Sequence, residues 1–552
     1  MALPLALLVF VFPLLLGTAL MDPDEGLHAS IAQEMVERGH WITPTLLGKP
    51  FLDKPILYFW CEAFSLRLFG MHEAAVRLPG LMLGLLAALS TAIVAARIFN
   101  RRVGLIAGMF YATTVLPMAL TQSPAHDVAL VPWISLAIGF FWESQWAASR
   151  RARTCYTLAI GALLGLTCLA KGLVGIALVG VAYGSYLLLT RRLTWAICAR
   201  ALAAVAIAAF VAASWYLAME AKNPGYLYYY FIQRHLLGFA TSTQNHGTEP
   251  FWFYLPIVLA GGLPWIGFLP VTLRDAWSKR RAVARGEGTG NEAVITPHST
   301  SRDADAIVLL LCWLCGCTLF LSASHSKLVT YIWPVFPPLA ILSALGWGRL
   351  LDGSLTAPAR VALGRAFRNM AWISPLVLPA VVVAVARTLD LHISPWGWLA
   401  VALAAVALWM PRWLGKDGRW EQALAASILA MGLQFAVIMT VVLPAVAIQF
   451  SARDLAVALN RSGRLPPRVL LMEERVASVI FYLTPELRAG VHPRQLESFG
   501  LDQLPQLSHA EPGTMVAISQ RWLPAVAAHI SLSGIPFQPA GKYRLYDAQR
   551  LK

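Results

Sequence analysis

An α-helical polytopic membrane protein is the fold class this sequence predicts, on three observations. Of its 552 residues, 58% are hydrophobic and only 13% are charged; a water-soluble chain of this length needs far more polar surface. Apolar stretches repeatedly reach the roughly 20 residues that cross ~30 Å of hydrocarbon as a helix, and they do not alternate as barrel strands do. The net charge of +15 sits mostly in short loops between these stretches. That is a pattern of membrane orientation, not of nucleic-acid binding.

The hydropathy criterion yields about thirteen spans. They fall at 3–20, 78–96, 103–120 and 128–146, then two flanking Lys171, then 201–218 and 251–273. Two more flank "SASHSKLVTY", and three fill 370–446. The first run lacks a basic leader and a small-residue cleavage site, so it is expected to be a retained span. Every second loop is basic: Arg97, Arg101 and Arg102; Arg150, Arg151 and Arg153; Arg191, Arg192 and Arg200; then the cluster from Arg274 to Arg285. The positive-inside rule makes those loops cytoplasmic, which turns the alternate loops and the tail outward. Residues 1–450 are thus expected to form the membrane domain, with 21–77 as its first outer loop.

The tail, 451–552, mixes helix-like "SARDLAVALN" and "RWLPAVAAHI" with strand-like "RVLLM", "TMVAIS" and "KYRLYD". Separated by Pro and Gly turns, these predict a small α/β domain. The seven cysteines lie in or beside apolar stretches without a zinc spacing, and read as small buried residues. No related halves appear, and ionisable residues sit at span ends, which disfavours a transporter.

Residues able to do chemistry gather in the outward loops. In "MDPDEGLHASIAQEMVERGHW", Asp22, Pro23 and Glu25 suit a helix start. Leu27, Ile31 and Met35 share a face, and Gly39 ends the helix. An amphipathic helix in the membrane interface follows. The helix start does not need Asp24, which becomes a candidate reaction-centre acid. In "FLDKPILYFW", Lys54 beside Tyr58 reads either as a headgroup anchor or as a phosphate-binding cation. In "TQSPAHDVAL", Ser123 and Pro124 suit the turn, leaving His126 and Asp127 at a span entrance, where ionisable groups are functional candidates. Lys171, Tyr226, Tyr228, Tyr229, Tyr230, Arg234, His235, His246, His325, Lys327 and Tyr331 complete a cationic and aromatic set suited to phosphate and sugar. No metal-ligand spacing such as HExxH occurs, which leaves a divalent cation an open question.

With these residues in view, the chain resembles the GT-C superfamily of polyprenyl-phosphate-sugar glycosyltransferases. The string "DPDEGLHASIAQEMVERGHWITPTLLGKPFLDKPILYFW" is similar to that of bacterial lipid A aminoarabinose transferases, relatives of protein O-mannosyltransferases. The resemblance implies interfacial helices between the first spans and a periplasmic C-terminal domain. It implies transfer of 4-amino-4-deoxy-L-arabinose from undecaprenyl phosphate to lipid A phosphates, at the periplasmic face of the bacterial inner membrane. Resistance to polymyxin and other cationic peptides would follow. Carried over, the catalytic acids are Asp24, Glu25 and Asp127, and Lys54 meets the lipid carrier phosphate. Lys171, Arg234, Lys327 and Tyr331 are expected to support that phosphate, and Tyr58, His126 and His235 to contact substrate. The implied partners are the lipid-linked sugar, lipid A and membrane lipids. The alternatives are another GT-C transferase with a hydroxyl acceptor and, from a different class, a lipid transporter.

Overall fold

The computed structural model describes residues 17–122, 126–240, 249–285, 297–492 and 494–551. Residues 3–16 of the first expected span, Ser123, Pro124 and His246 lie outside the described residues. Among those described, nine helices are long and apolar enough to cross a membrane. They run from Glu73–Ile98 through Trp420–Phe450 and share an aromatic-rich core that includes Phe110, Trp142, Trp265 and Trp347.

Three expected spans take another form, each for a local reason. Val174–Leu189 is apolar but has only 16 residues. The stretch expected at 103–120 is split into Arg101–Ala112 and Val115–Leu120. At the break, the hydroxyls of Thr113 and Thr114 donate to the carbonyls of Met109 and Phe110, each at 2.6 Å. Such back-bonding bends a helix. The stretch expected at 251–273 becomes Phe251–Gly261 and Trp265–Ala282, bent by 91° at a break that contains Gly262 and Pro264. Proline lacks the donor that would continue the helix.

The first outer segment departs from its expected start. Helix Asp24–Arg38 begins after Pro23 with no side-chain cap, and ends at Gly39, as its left-handed φ of 69° requires. The carboxylate of Asp22 caps nothing. It accepts from the Ser478 amide at 3.1 Å and from the Ser478 hydroxyl, and so ties the segment to the C-terminal domain. Nor does the helix lie open on an interface. From Glu25 to Met35 nearly every side chain is buried, between Leu57–Phe69 on one side and Ala477–Tyr482 on the other. A short hairpin, β1 (Thr45–Leu46) with β2 (Lys49–Pro50), follows. Glu34 fixes it by accepting from Thr45 Oγ1 at 2.8 Å and from the Leu47 amide at 2.6 Å.

The C-terminal domain holds a five-stranded sheet in the order β4-β3-β5-β7-β6. The strands are β3 (Arg468–Met472), β4 (Leu496–Phe499), β5 (Thr514–Ser519), β6 (Phe537–Ala540) and β7 (Tyr543–Asp547). β3 runs parallel to both β4 and β5, whereas β7 runs antiparallel to β5 and β6. The sequence pattern predicted β3, β5 and β7. The two strands it missed are the edges, where "LESF" carries a charge and "FQPA" a proline, as edges tolerate.

Candidate active site

Five separate segments close a cavity of about 360 Å³ at the end of the bundle where the first outer segment sits. The turn between β2 and helix Leu57–Phe69 supplies Asp53 and Lys54. A short turn at His126–Ala129 supplies Asp127, and the last residue of helix Arg150–Lys171 supplies Lys171. The wide-turn helix Tyr228–Leu237 brings Arg234 and His235, and the stretch 324–331 brings Ser324, Ser326 and Tyr331. The remaining wall is apolar, with Leu173, Val174, Phe239 and Phe320 among its residues.

Charge on this wall is unevenly paired. Lys171 forms a buried ion pair with Asp127, and its Nζ lies 3.6 Å from the ring centre of Tyr331. A helix C-terminus also favours a cation. Arg234 faces Asp53 at 3.7 Å, and the Tyr229 hydroxyl donates to Asp53 at 2.5 Å. Lys54 makes no ion pair or hydrogen bond with a described residue, although its charge acts on both Asp127 and Lys171. The lining holds three cations (Lys54, Lys171, Arg234) against two carboxylates, so positive charge is in excess. A cationic head beside an apolar wall suits an amphiphile with an anionic end.

His235 is the hinge of the wall. Its Nδ1 lies 2.9 Å from the Tyr230 carbonyl and its Nε2 lies 3.2 Å from the Lys171 carbonyl. Burial holds its pKa below the ordinary histidine value, while the two carbonyl contacts act in the opposite direction. Gly172 must lack a side chain here: its φ is +64°, and a Cβ would come within 2.5 Å of His235 Nε2.

The cavity therefore gathers Lys54, Asp127, Lys171, Arg234, His235 and Tyr331 from the candidates named by sequence, and leaves others aside. Glu25 is held by Arg77, which donates to both of its carboxylate oxygens at 3.1 and 2.7 Å. It belongs to the support of the first segment. Lys327 donates to the Glu249 carbonyl at 3.0 Å and is not on the wall. Tyr58 and His126 are off the wall in a cluster of tilted rings, their ring centres 5.0 Å apart. His28 joins the cluster edge-on, 4.5 Å from His126. Asp24 stands exposed one helical turn before His28, near enough for its charge to act on Tyr331. It is not among the residues of the wall, where Asp53 is the second acid. Sequence reading named Tyr229 in its aromatic set but passed over Asp53, Ser324 and Ser326; of these Asp53 alone had a signal, as the neighbour of Lys54 in "FLDKP".

Among the described residues no group of three or more His, Cys, Asp or Glu side chains could hold a metal ion. Of the seven cysteines expected to be buried, Cys168, Cys312 and Cys317 are buried, Cys61 and Cys198 are half-buried, and Cys155 and Cys315 are exposed.

A family model described as dolichyl-phosphate-mannose-protein mannosyltransferase matches residues 53–217. The undecaprenyl phosphate-α-4-amino-4-deoxy-L-arabinose arabinosyl transferase of Aeromonas salmonicida is 32% identical over 449 residues, which cover 79% of this chain and 76% of that protein. The enzyme of the same name from Aeromonas hydrophila is also 32% identical over 449 residues, with the same coverage. The crystal structure of ArnT from Cupriavidus metallidurans bound to undecaprenyl phosphate superposes with a TM-score of 0.75 at 24% identity, over 99% of this chain and 97% of that one. The fold is therefore that of a GT-C glycosyltransferase, and the chain belongs to the undecaprenyl phosphate-aminoarabinose arabinosyl transferase family.

Proposed function

We propose that the protein moves 4-amino-4-deoxy-L-arabinose from undecaprenyl phosphate to phosphate groups of lipid A. The observation that carries this reading is that Lys54, Lys171 and Arg234 line a cavity whose remaining wall is largely apolar. A lipid phosphate needs just such a cationic head and greasy tail. The basic loops orient this face to the periplasm of a bacterial inner membrane.

The residues divide the work as follows. As the bond from the sugar to the carrier phosphate breaks, negative charge grows on the leaving undecaprenyl phosphate. Lys54, without an ion-pair partner among the described residues and next to the positive excess of the wall, neutralises that charge in the transition state. Asp127, held in place by Lys171, receives the sugar's ammonium or hydroxyl groups. The acceptor oxygen forms the new bond at the anomeric carbon. A lipid A phosphate is already anionic, so a general base adds little, and Asp24 orients the acceptor. Among the described residues both wall carboxylates face cations, Asp53 toward Arg234 and Asp127 toward Lys171, which favours a single displacement that inverts the anomeric centre.

Mass spectrometry of lipid A from cells expressing the wild type tests this directly. The wild type is expected to add the mass of one or more aminoarabinose units and to raise survival in polymyxin. Lys54→Ala, Asp127→Ala and Asp24→Ala are each expected to lower the added mass by about a hundredfold or more. Unmodified lipid A together with a newly glycosylated protein would favour a hydroxyl acceptor, as the mannosyltransferase family match allows.

A further inference from the structure

The C-terminal domain grips one stretch of the membrane domain, residues 20–37, at a series of polar points. The Tyr482 hydroxyl accepts from the Leu20 amide at 2.8 Å and donates to Glu73 at 3.0 Å. Ser478 holds both carboxylate oxygens of Asp22. The Ser30 hydroxyl donates to the Ala477 carbonyl at 2.7 Å, and Gln33 Nε2 donates to the Phe481 carbonyl at 3.3 Å. Arg488 pairs with Glu37.

Gly26 sits at the closest approach. A Cβ built there would lie 2.3 Å from Asp22 Oδ1, 2.6 Å from the Ser478 nitrogen and 2.9 Å from the Ser478 Cα. Two of those atoms are main chain and cannot rotate away. The missing side chain lets helix Asp24–Arg38 lie directly on Ser478. Asp24 falls between the two anchors, Asp22 before it and Gly26 after it.

We infer that Gly26, Ser478 and Asp22 are positioning residues for Asp24, through which the C-terminal domain clamps the first helix so that this acid stands near the cavity. The inference rests on the reading of Asp24 given above and deepens it. Misplacing a reacting or orienting group by about 1 Å can cost about a hundredfold in rate. Helix propensity alone points the opposite way for Gly26, since alanine favours a helix more than glycine does.

The test uses the purified full-length chain in lipid nanodiscs, with undecaprenyl phosphate-aminoarabinose as donor and lipid A as acceptor. Gly26→Ala and Ser478→Ala are expected to lower kcat by about ten- to a hundredfold, with undecaprenyl phosphate affinity kept within about twofold. Asp22→Asn retains an acceptor and a donor for Ser478, and is expected to keep kcat within about threefold, where Asp22→Ala falls with the other two. Hydrogen exchange across 20–37 is expected to rise in Gly26→Ala and Ser478→Ala. That readout still reports on the clamp if the wild type itself transfers no sugar, an outcome that would sink the substrate reading instead. Wild-type kcat and wild-type exchange in Gly26→Ala overturn the clamp. Equal losses of kcat and undecaprenyl phosphate binding also overturn it, because they indicate general unfolding.

Discussion

Lys54 and Lys171 share one wall but carry their charges for different purposes. Lys171 is spent on Asp127, so Lys171→Met strands a buried carboxylate and is expected to destabilise the protein by about 3–5 kcal/mol. Lys54 has no described partner, so Lys54→Met is expected to leave stability within about 0.5 kcal/mol while abolishing most transfer. Chemical denaturation of both variants separates the roles; equal destabilisation would contradict the assignment. Sequence located Lys171 as a lone cation between two apolar spans, and Lys54 as a cation at a predicted helix start among aromatics in "FLDKPILYFW". It paired Glu25 with Asp24 as neighbours in the chain, but successive residues on a helix are rotated by about 100°. Asp24 consequently faces out and Glu25 faces in, onto Arg77. Glu62 was invisible for a similar reason: nothing in "FWCEAF" says that this carboxyl is fully buried. Burial pushes its pKa well above the usual carboxylate range, and the charge of Glu25 acts in the same direction.

At the scale of elements, hydropathy found the helices but not their breaks. Thr113 and Thr114 are mild on any hydropathy scale, and so is the Gly-Leu-Pro bend before Trp265, yet both redirect the chain. The junction of the tail with the first segment was equally hidden, because it joins residues more than four hundred positions apart. It also has a pH signature. Burial pushes the Asp22 carboxyl from 3.8 up to about 7, and Glu474 acts in the same direction, against Ser478 and Lys542. The native state thus binds this proton more tightly than the unfolded chain does. The associated stability is complete below about pH 4, declines as pH rises, and is lost above about pH 7. Melting curves between pH 5 and pH 8 are expected to fall more steeply with pH for wild type than for Asp22→Asn. Identical slopes would show that Asp22 does not titrate at this junction.

For the whole molecule, membrane class, helix order and the α/β tail were all legible, since each follows from patterns along the chain. The cavity was legible only in part: a motif can name Lys54 and Asp127, but the closure of five segments around them is a property of packing. Everything functional rests on that cavity accepting a lipid phosphate on Lys54. The most direct measurement is equilibrium binding of undecaprenyl phosphate to the purified full-length chain and its Lys54→Ala and Lys327→Ala variants. Loss of a charge-assisted contact is expected to weaken binding by at least about tenfold in Lys54→Ala. Lys327→Ala, off the cavity wall, is expected to bind as wild type does. Wild-type affinity in Lys54→Ala would contradict the site.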